Sequence, residues 1–184
     1  RLVTISAAAR RMSQLIDALL NLSRLGRTAL RPRPVDMAAQ VQEVRKELME
    51  EAGDRVVRWN IGPLPVVNCD AILLRQVWTN LLSNALKYSG PCAEAVVEVG
   101  TGANEREKTV FFVRDNGVGF NAQYGDRLFN AFQRLHGERE FSGIGIGLAI
   151  VRRVVERHGG RVWAVSAEGE GATFYFSIAD AAVN

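Results

Sequence analysis

The sequence is poor in the residues that build metal centres, disulfide frameworks and membrane spans. Of its 184 residues two are cysteine, Cys69 and Cys92, and two are histidine, His136 and His158. The cysteines lack metal-ligand spacing and read as reduced thiols. Neither histidine has the cysteine or acid company that a zinc site or a nucleophilic triad requires. No apolar run approaches the roughly 18–20 residues of a membrane-spanning helix, and no signal peptide opens the chain, so we expect no membrane segment within it. A phosphate loop ending in Gly-Lys-Ser/Thr is absent. The glycine repeat from Gly143 is preceded by 136–142, which is not strand-like, and that excludes a dinucleotide fingerprint. The chain opens on Arg1 rather than Met, and we expect a longer parent with room for a sensor or membrane segment.

What is present divides into two parts. Residues 1–33 hold seven arginines (Arg1, Arg10, Arg11, Arg24, Arg27, Arg31 and Arg33) against one acid, Asp17, a local charge of +6 on a chain of net charge +3. Leu2, Ile5, Ala9, Met12, Ile16 and Leu19 step by three and four through this region, with Leu15 and Leu22 widening the stripe. The spacing predicts one amphipathic helix over 1–27, which cannot bury its stripe alone and needs a bundle or a dimer partner. A basic helix of this kind can also meet nucleic acid or a membrane surface, but no nucleic-acid motif or aromatic-interleaved basic patch accompanies it, and we expect no nucleic-acid partner. Gly26 and the run from Arg31 to Pro34 end the helix in a short, stiff linker or edge strand.

Beyond the linker, Asp36 is a suitable N-cap for a helix over about 37–52, and 55–61 is strand-like. Asp70 can cap a helix over about 71–88. Residues 95–100 and 109–114 form a hairpin pattern around a charged turn. The stretch 115–142 is rich in glycine and charge, 146–158 is helical with Gly159-Gly160 as its stop, and 161–167 and 172–178 are strands. Three helices among about five strands predict a two-layer sandwich with helices on one sheet face.

The 71–88 helix carries the first chemistry. Leu74, Trp78, Leu81, Leu82 and Ala85 fall on one face and should be buried, while Asn80, Asn84, Lys87 and Tyr88 share a second face. Asn is a poor helix-interior residue, because its amide competes with the backbone, so two of them on one face are either a solvated surface or a site. Asp115-Asn-Gly117-Val-Gly119 follows an apolar strand. Asp115 can be an ordinary turn residue; alternatively, a buried carboxylate there accepts a hydrogen bond from the exocyclic amine of adenine, where guanine offers a carbonyl. Gly143-Ile-Gly145-Ile-Gly147-Leu148 runs into a helix whose first amides could hold phosphate. Asn84, with Asn80 beside it, would then offer an amide oxygen to Mg2+, and Lys87 and Tyr88 would face the phosphates. Phe129 and Phe132 lie between the glycine segments, either as a local core or as clamps of a mobile lid.

Together these residues resemble the ATP-binding domain of sensor histidine kinases, within the wider group of gyrase, mismatch-repair and heat-shock chaperone ATPases. Asn80 to Tyr88 resembles the N box, Asp115 to Gly119 the first glycine box, Leu128 to Arg134 the F box, Gly143 to Gly147 the second glycine box, and Gly169 to Thr173 the last one. Residues 2–27, with their Leu19-Leu-Asn-Leu-Ser23-Arg24-Leu25, resemble the second helix of the dimerisation and phosphoacceptor hairpin, and the run 132–150 is most similar to phytochrome-like kinases. The resemblance implies an α/β (α+β) fold of the Bergerat type, a mostly antiparallel mixed sheet with helices on one face, preceded by the long helix. It implies a division into 1–28 (hairpin helix), 29–35 (linker) and 36–184 (ATP-binding domain). It implies that Asp115 reads adenine, that Thr173 assists through water, that Asn84, with Asn80, holds Mg2+, and that Asn84 and Lys87 serve the chemistry. Asn80, Lys87, Tyr88, Gly117, Gly119, Gly143, Gly145, Gly147 and Leu148 would line the nucleotide.

The family's phosphoacceptor His, on the first hairpin helix, has no counterpart here, and Ile144 stands where many relatives carry Thr. The chain is therefore expected to bind ATP and Mg2+ without phosphorylating itself, to act on a His supplied by another helix, and to serve a response-regulator receiver domain in a cytoplasmic, homodimeric parent. The alternatives are an ATPase of the gyrase and chaperone group and a non-catalytic nucleotide-binding dimerisation module. Phosphotransfer to an added acceptor hairpin separates the first reading from both.

Overall fold

The computed structural model describes residues 12–13, 16, 19–20, 29–103, 108–133 and 145–179. Met12, Ile16, Leu19 and Leu20 are helical and exposed, as an amphipathic stripe awaiting a partner would be. The remaining elements run β1 (Arg33–Asp36), α1 (Met37–Ala52), β2 (Val57–Ile61), β3 (Val66–Cys69), α2 (Ala71–Tyr88), β4 (Ala95–Thr101), β5 (Lys108–Asp115), a 3-10 helix (Ala122–Phe129), α3 (Gly147–Arg157), β6 (Val162–Ser166) and β7 (Ala172–Ala179).

The main sheet has the order β2-β4-β5-β7-β6, with β2 parallel to β4 and every other pair antiparallel. The five strands expected from the sequence are these five. A second sheet was not foreseen, but of the two alternatives for the run ending at Pro34 the edge strand is the one observed: β1 pairs antiparallel with β3 from Arg33 on.

Both anticipated caps are made. The Asp36 carboxylate accepts from the Ala39 amide at 3.0 Å, and Asp70 Oδ1 accepts from the Ile72 and Leu73 amides at 3.1 and 3.2 Å. These bonds satisfy amides that a helix start leaves orphaned. The far end of α2 is held by Arg55, whose guanidinium donates to the Leu86 carbonyl at 2.6 Å and to Ser89 Oγ at 3.1 Å. The predicted apolar face of α2 is buried throughout. Trp78 meets Phe111 and Phe176 edge-on, with centroids 5.7 and 5.0 Å away, and its indole N–H donates to the Met37 sulfur at 3.4 Å. One side chain thus fastens α2 to the sheet and to α1, and the opposite face of α2 is left for chemistry.

On the outer sheet face Trp163 stacks on Tyr175 at 5.2 Å and carries the Arg161 guanidinium 4.2 Å above its ring. Among the described residues this aromatic row, extended by Phe112 at 6.2 Å from Tyr175, stands where the other face has helices.

His158 ties α3 to the start of α2. Its Nε2 accepts from the Asp70 amide at 3.1 Å, and Nδ1 lies 2.8 Å from the Val154 carbonyl, to which it donates. Only the neutral Nδ1–H tautomer makes both bonds. Burial accordingly pushes the imidazole below its ordinary pKa. A depressed folded-state pKa adds stability above the unfolded value, about 6.5, that is lost as pH falls through it. We expect His158→Ala to cost about 1–3 kcal/mol, the loss of two buried hydrogen bonds. His158→Gln, which never takes up a proton, should flatten this part of the decline in thermal midpoint between pH 8 and 5.5. An unchanged pH profile in His158→Gln would refute the role.

Candidate functional site

The site forms where α2, α3 and the end of β5 converge. Asp115 closes β5, and its carboxylate is only 4% exposed. The Gly117 amide donates to its Oδ1 at 2.8 Å, and the Ala172 amide supplies a further bond. Burial nevertheless outweighs these donors and pushes the carboxyl up to about 6. Near neutral pH the group is thus a desolvated, charged acceptor, which suits a ligand that donates.

The loop after Asp115 is pressed against the end of α2. The Val118 amide donates to the Tyr88 carbonyl at 3.2 Å, and a Cβ on Gly117 would lie 2.5 Å from that same carbonyl oxygen. No side chain fits there, which is the physical reason for the first glycine of the motif. The loop is also tied to the β6–β7 turn: Ser166 Oγ accepts from the Phe120 amide at 2.9 Å and donates to the Gly171 carbonyl at 2.6 Å. Gly119 is buried in this packing with φ of 64°.

Midway along α2, Asn80 meets α3. A Cβ on Gly147 would lie 2.7 Å from Asn80 Oδ1, so glycine at the first position of α3 lets the Asn80 amide seat against it. Asn80 Nδ2 donates back to the Gln76 carbonyl at 2.8 Å. Among the described residues no side chain caps the N-terminus of α3, which leaves its first amides as donors beside the half-buried Gly145 and Gly147. Leu148 is half-buried and packs on the core.

Asn84 lies one turn beyond Asn80 and one turn before Tyr88, on the half-buried face predicted for it. Its amide has no hydrogen-bond partner among the described residues. Lys87 Nζ lies 4.5 Å above the Tyr88 ring. The two glycine segments therefore touch α2 at positions eight residues apart, about 12 Å along its axis, with Asn84 midway between them. Among the described residues no three His, Cys, Asp or Glu side chains are grouped to hold a metal ion. A divalent ion at this site would depend on amide and phosphate oxygens, a donor set that suits Mg2+.

The structure does not bring Thr173 here. Thr173 pairs with Arg114 in register and accepts from Arg114 Nε at 3.1 Å, while Ala172 is the residue opposite Asp115. Strand side chains alternate, so Thr173 shares the outer face with Arg114 and Tyr175, opposite to the face of the Asp115 side chain. The two loop phenylalanines separate. Phe129 is buried against Phe174 at 6.4 Å, whereas Phe132 is 48% exposed at φ of 66°. The Phe132 amide donates to the Gly145 carbonyl at 2.9 Å, which joins the two ends of 133–145. Gly143, Ile144 and His136 lie outside the described residues. Ser166 and Asn116 were missed by sequence reasoning. Asn in a turn after a strand end is too common to stand out, and the partners of Ser166 are distant in sequence.

Residues 69–182 match the family model described as histidine kinase-, DNA gyrase B-, and HSP90-like ATPase. The chain is 39% identical over 184 residues to cyanobacterial phytochrome B of Nostoc sp. strain PCC 7120, covering 98% of this chain and 24% of that protein. It is 36% identical over 178 residues to the methanogenesis regulatory histidine kinase FilI of Methanothrix harundinacea, covering 96% of this chain and 20% of that one. The chain thus spans about a quarter or less of these two relatives. Among solved structures, full-length ShkA in complex with AMPPNP superposes with a TM-score of 0.76 at 27% identity, over 98% of this chain and 39% of that one. The mycobacterial sensor histidine kinase MprB superposes with a TM-score of 0.66 at 25% identity, over 80% of this chain and 97% of that one.

Proposed function

The chain belongs to the histidine kinase-, DNA gyrase B- and HSP90-like ATPase family, as the ATP-binding domain of a sensor histidine kinase, and from that premise we propose the reaction its parent carries out. The domain presents the γ-phosphate of ATP to a His on a dimerisation helix, for relay to an Asp on a response-regulator receiver domain. Residues 1–28 act as the second helix of that hairpin, 29–35 as the linker and 36–184 as the catalytic unit, in a cytoplasmic homodimer. No helix among the described residues is long and apolar enough to cross a membrane.

One observation carries the reading. A single helix touches both glycine segments, with Gly147 against Asn80 and Gly117 against the Tyr88 carbonyl, and Asn84, without a partner among the described residues, lies between them. A nucleotide laid along this helix puts its base at Asp115 and its phosphates at the α3 amides. Asp115 accepts the adenine amine, the uncapped amides of Gly147 and Leu148 hold phosphate oxygens, and Lys87 adds positive charge. Asn84 offers the amide oxygen for a magnesium ion, whose chemistry is to neutralise phosphate charge as the phosphoryl group moves. In this reading the protein's contribution is positioning and electrostatics, since phosphoryl transfer asks little covalent chemistry of it.

A calorimetric titration with a non-hydrolysable ATP analogue and Mg2+, with GTP as control, tests the site. Adenine-selective binding that strengthens with Mg2+ is expected, and equal binding of GTP would sink the Asp115 assignment. Phosphate transfer to an added acceptor hairpin is expected to follow; phosphate release independent of any acceptor would instead identify an ATPase.

A further inference from the structure

Asp115 is held in place by a residue that the proposed reaction does not use. All four polar groups of Asn116 bond to one short segment, 92–96. Its amide donates to the Val96 carbonyl at 3.3 Å, and its Oδ1 accepts from the Val96 amide at 2.9 Å. Its Nδ2 donates to the Glu94 carbonyl at 2.9 Å, and its own carbonyl accepts from Cys92 Sγ at 3.1 Å. The side chain thus reinforces the backbone bond that carries the β4–β5 pairing one residue past Val97 and Asp115. An amide side chain is required for this, because one end must accept from an N–H and the other donate to a C=O.

The segment so gripped joins α2 to β4, and it leaves α2 directly after Lys87 and Tyr88. On its other side the Asp115–Gly117 turn is pressed against the Tyr88 carbonyl. The turn is therefore clamped between the end of α2 and the strand that follows it. Without the Asn116 side chain, the turn keeps the Tyr88 side of the clamp and its backbone bond to Val96 but loses both side-chain bonds to 94–96, and the Asp115 carboxylate gains room to swing toward water.

We propose that Asn116 is a positioning residue for nucleotide recognition: by fastening the Asp115–Gly117 turn to the 92–96 segment it aims the Asp115 carboxylate at the base and keeps it desolvated. This rests on Asp115 being the adenine acceptor. It adds a specificity determinant that touches no nucleotide.

The test is a titration of the full chain with a non-hydrolysable ATP analogue and Mg2+ at pH values from 5 to 8, in wild type, Asn116→Ala, Asn116→Asp and Asp115→Asn. Asn116→Ala is expected to weaken binding by about tenfold and to move the pH midpoint of binding downward, as a carboxylate returned to water would require. Asn116→Asp keeps an acceptor for the Val96 amide but loses the donor to Glu94, so it should fall between wild type and Asn116→Ala. A merely structural residue would lower the thermal midpoint and leave the pH midpoint where it was. Binding of Asn116→Ala within twofold of wild type at an unchanged pH midpoint, with Asp115→Asn strongly impaired, overturns the positioning role alone. Unimpaired Asp115→Asn overturns the site reading and this inference with it. If Asn116→Ala does not fold, the pH midpoint of Asn116→Asp decides: unmoved, it refutes the proposal.

Discussion

Asp115→Asn is expected to weaken binding of an ATP analogue by about a hundredfold or more while leaving the fold intact. The carboxylate sits 4% exposed with one oxygen already taken by the Gly117 amide. An amine donating to it makes a charge-assisted hydrogen bond, worth about 1.5–3 kcal/mol net, and replacing the acceptor with an amide donor leaves two donors facing each other, a further 1–3 kcal/mol or so. At about 1.4 kcal/mol per factor of ten, the two together correspond to roughly two to four orders of magnitude.

Stability should move the other way. The folded-state pKa is about 6 against an ordinary 3.8, so the carboxyl favours the folded state when protonated, and that contribution is lost as pH rises through 6. Above that pH the free protein holds a desolvated charge, which Asp115→Asn removes; its thermal midpoint at pH 8 should not fall. Ligand binding by wild type has the opposite pH dependence, because the ligand needs the charged acceptor. Affinity should be full above pH 6 and fall by up to about tenfold for each pH unit below it. In Asp115→Asn this dependence should vanish. Equal affinity of the two proteins in calorimetric titrations across pH 5–8 would refute the adenine contact.

The sequence patterns were most informative where a local period does the specifying. The apolar face of α2 is readable because residues three and four apart must share a face, and the five strands of the main sheet because each is a bounded, β-rich run. The β1–β3 pair escaped for the opposite reason. Each strand has four residues, one of them interrupted by Pro34, and their pairing joins segments over thirty residues apart. Thr173 shows how small a slip misplaces a site. A motif matched by letters put it beside Asp115, but one step along a strand turns a side chain to the other face, and the register gives that place to Ala172. Asn80 and Asn84 share a face on the helix wheel, and the wheel does not show that Gly147 of α3 sits against Asn80.

That difference sets the second large effect. Asn84→Ala is expected to lower phosphoryl transfer to an added acceptor hairpin by about a thousandfold or more, against a far smaller loss for Asn80→Ala. Asn80 spends its Nδ2 on the Gln76 carbonyl, and its Oδ1 faces Gly147 of α3, so its truncation loosens the α2–α3 contact as well as removing an amide oxygen. Asn84, half-buried and without a partner among the described residues, has its whole amide available, and its oxygen, not turned against α3, can face a cation. Mg2+ accepts few protein ligands and draws the rest from phosphate and water, so losing one of them is a large fraction of what the protein supplies. A thousandfold corresponds to about 4 kcal/mol of transition-state stabilisation, within reach of a charge-neutralising ion at a transferring phosphoryl group. The diagnostic is a split readout. In Asn84→Ala, binding of the analogue without Mg2+ should match wild type, while the strengthening by Mg2+ and the single-turnover transfer rate both collapse. If transfer persists at the wild-type rate, or if Asn80→Ala proves the more damaging change, the metal belongs elsewhere and the helix face has been assigned the wrong way round.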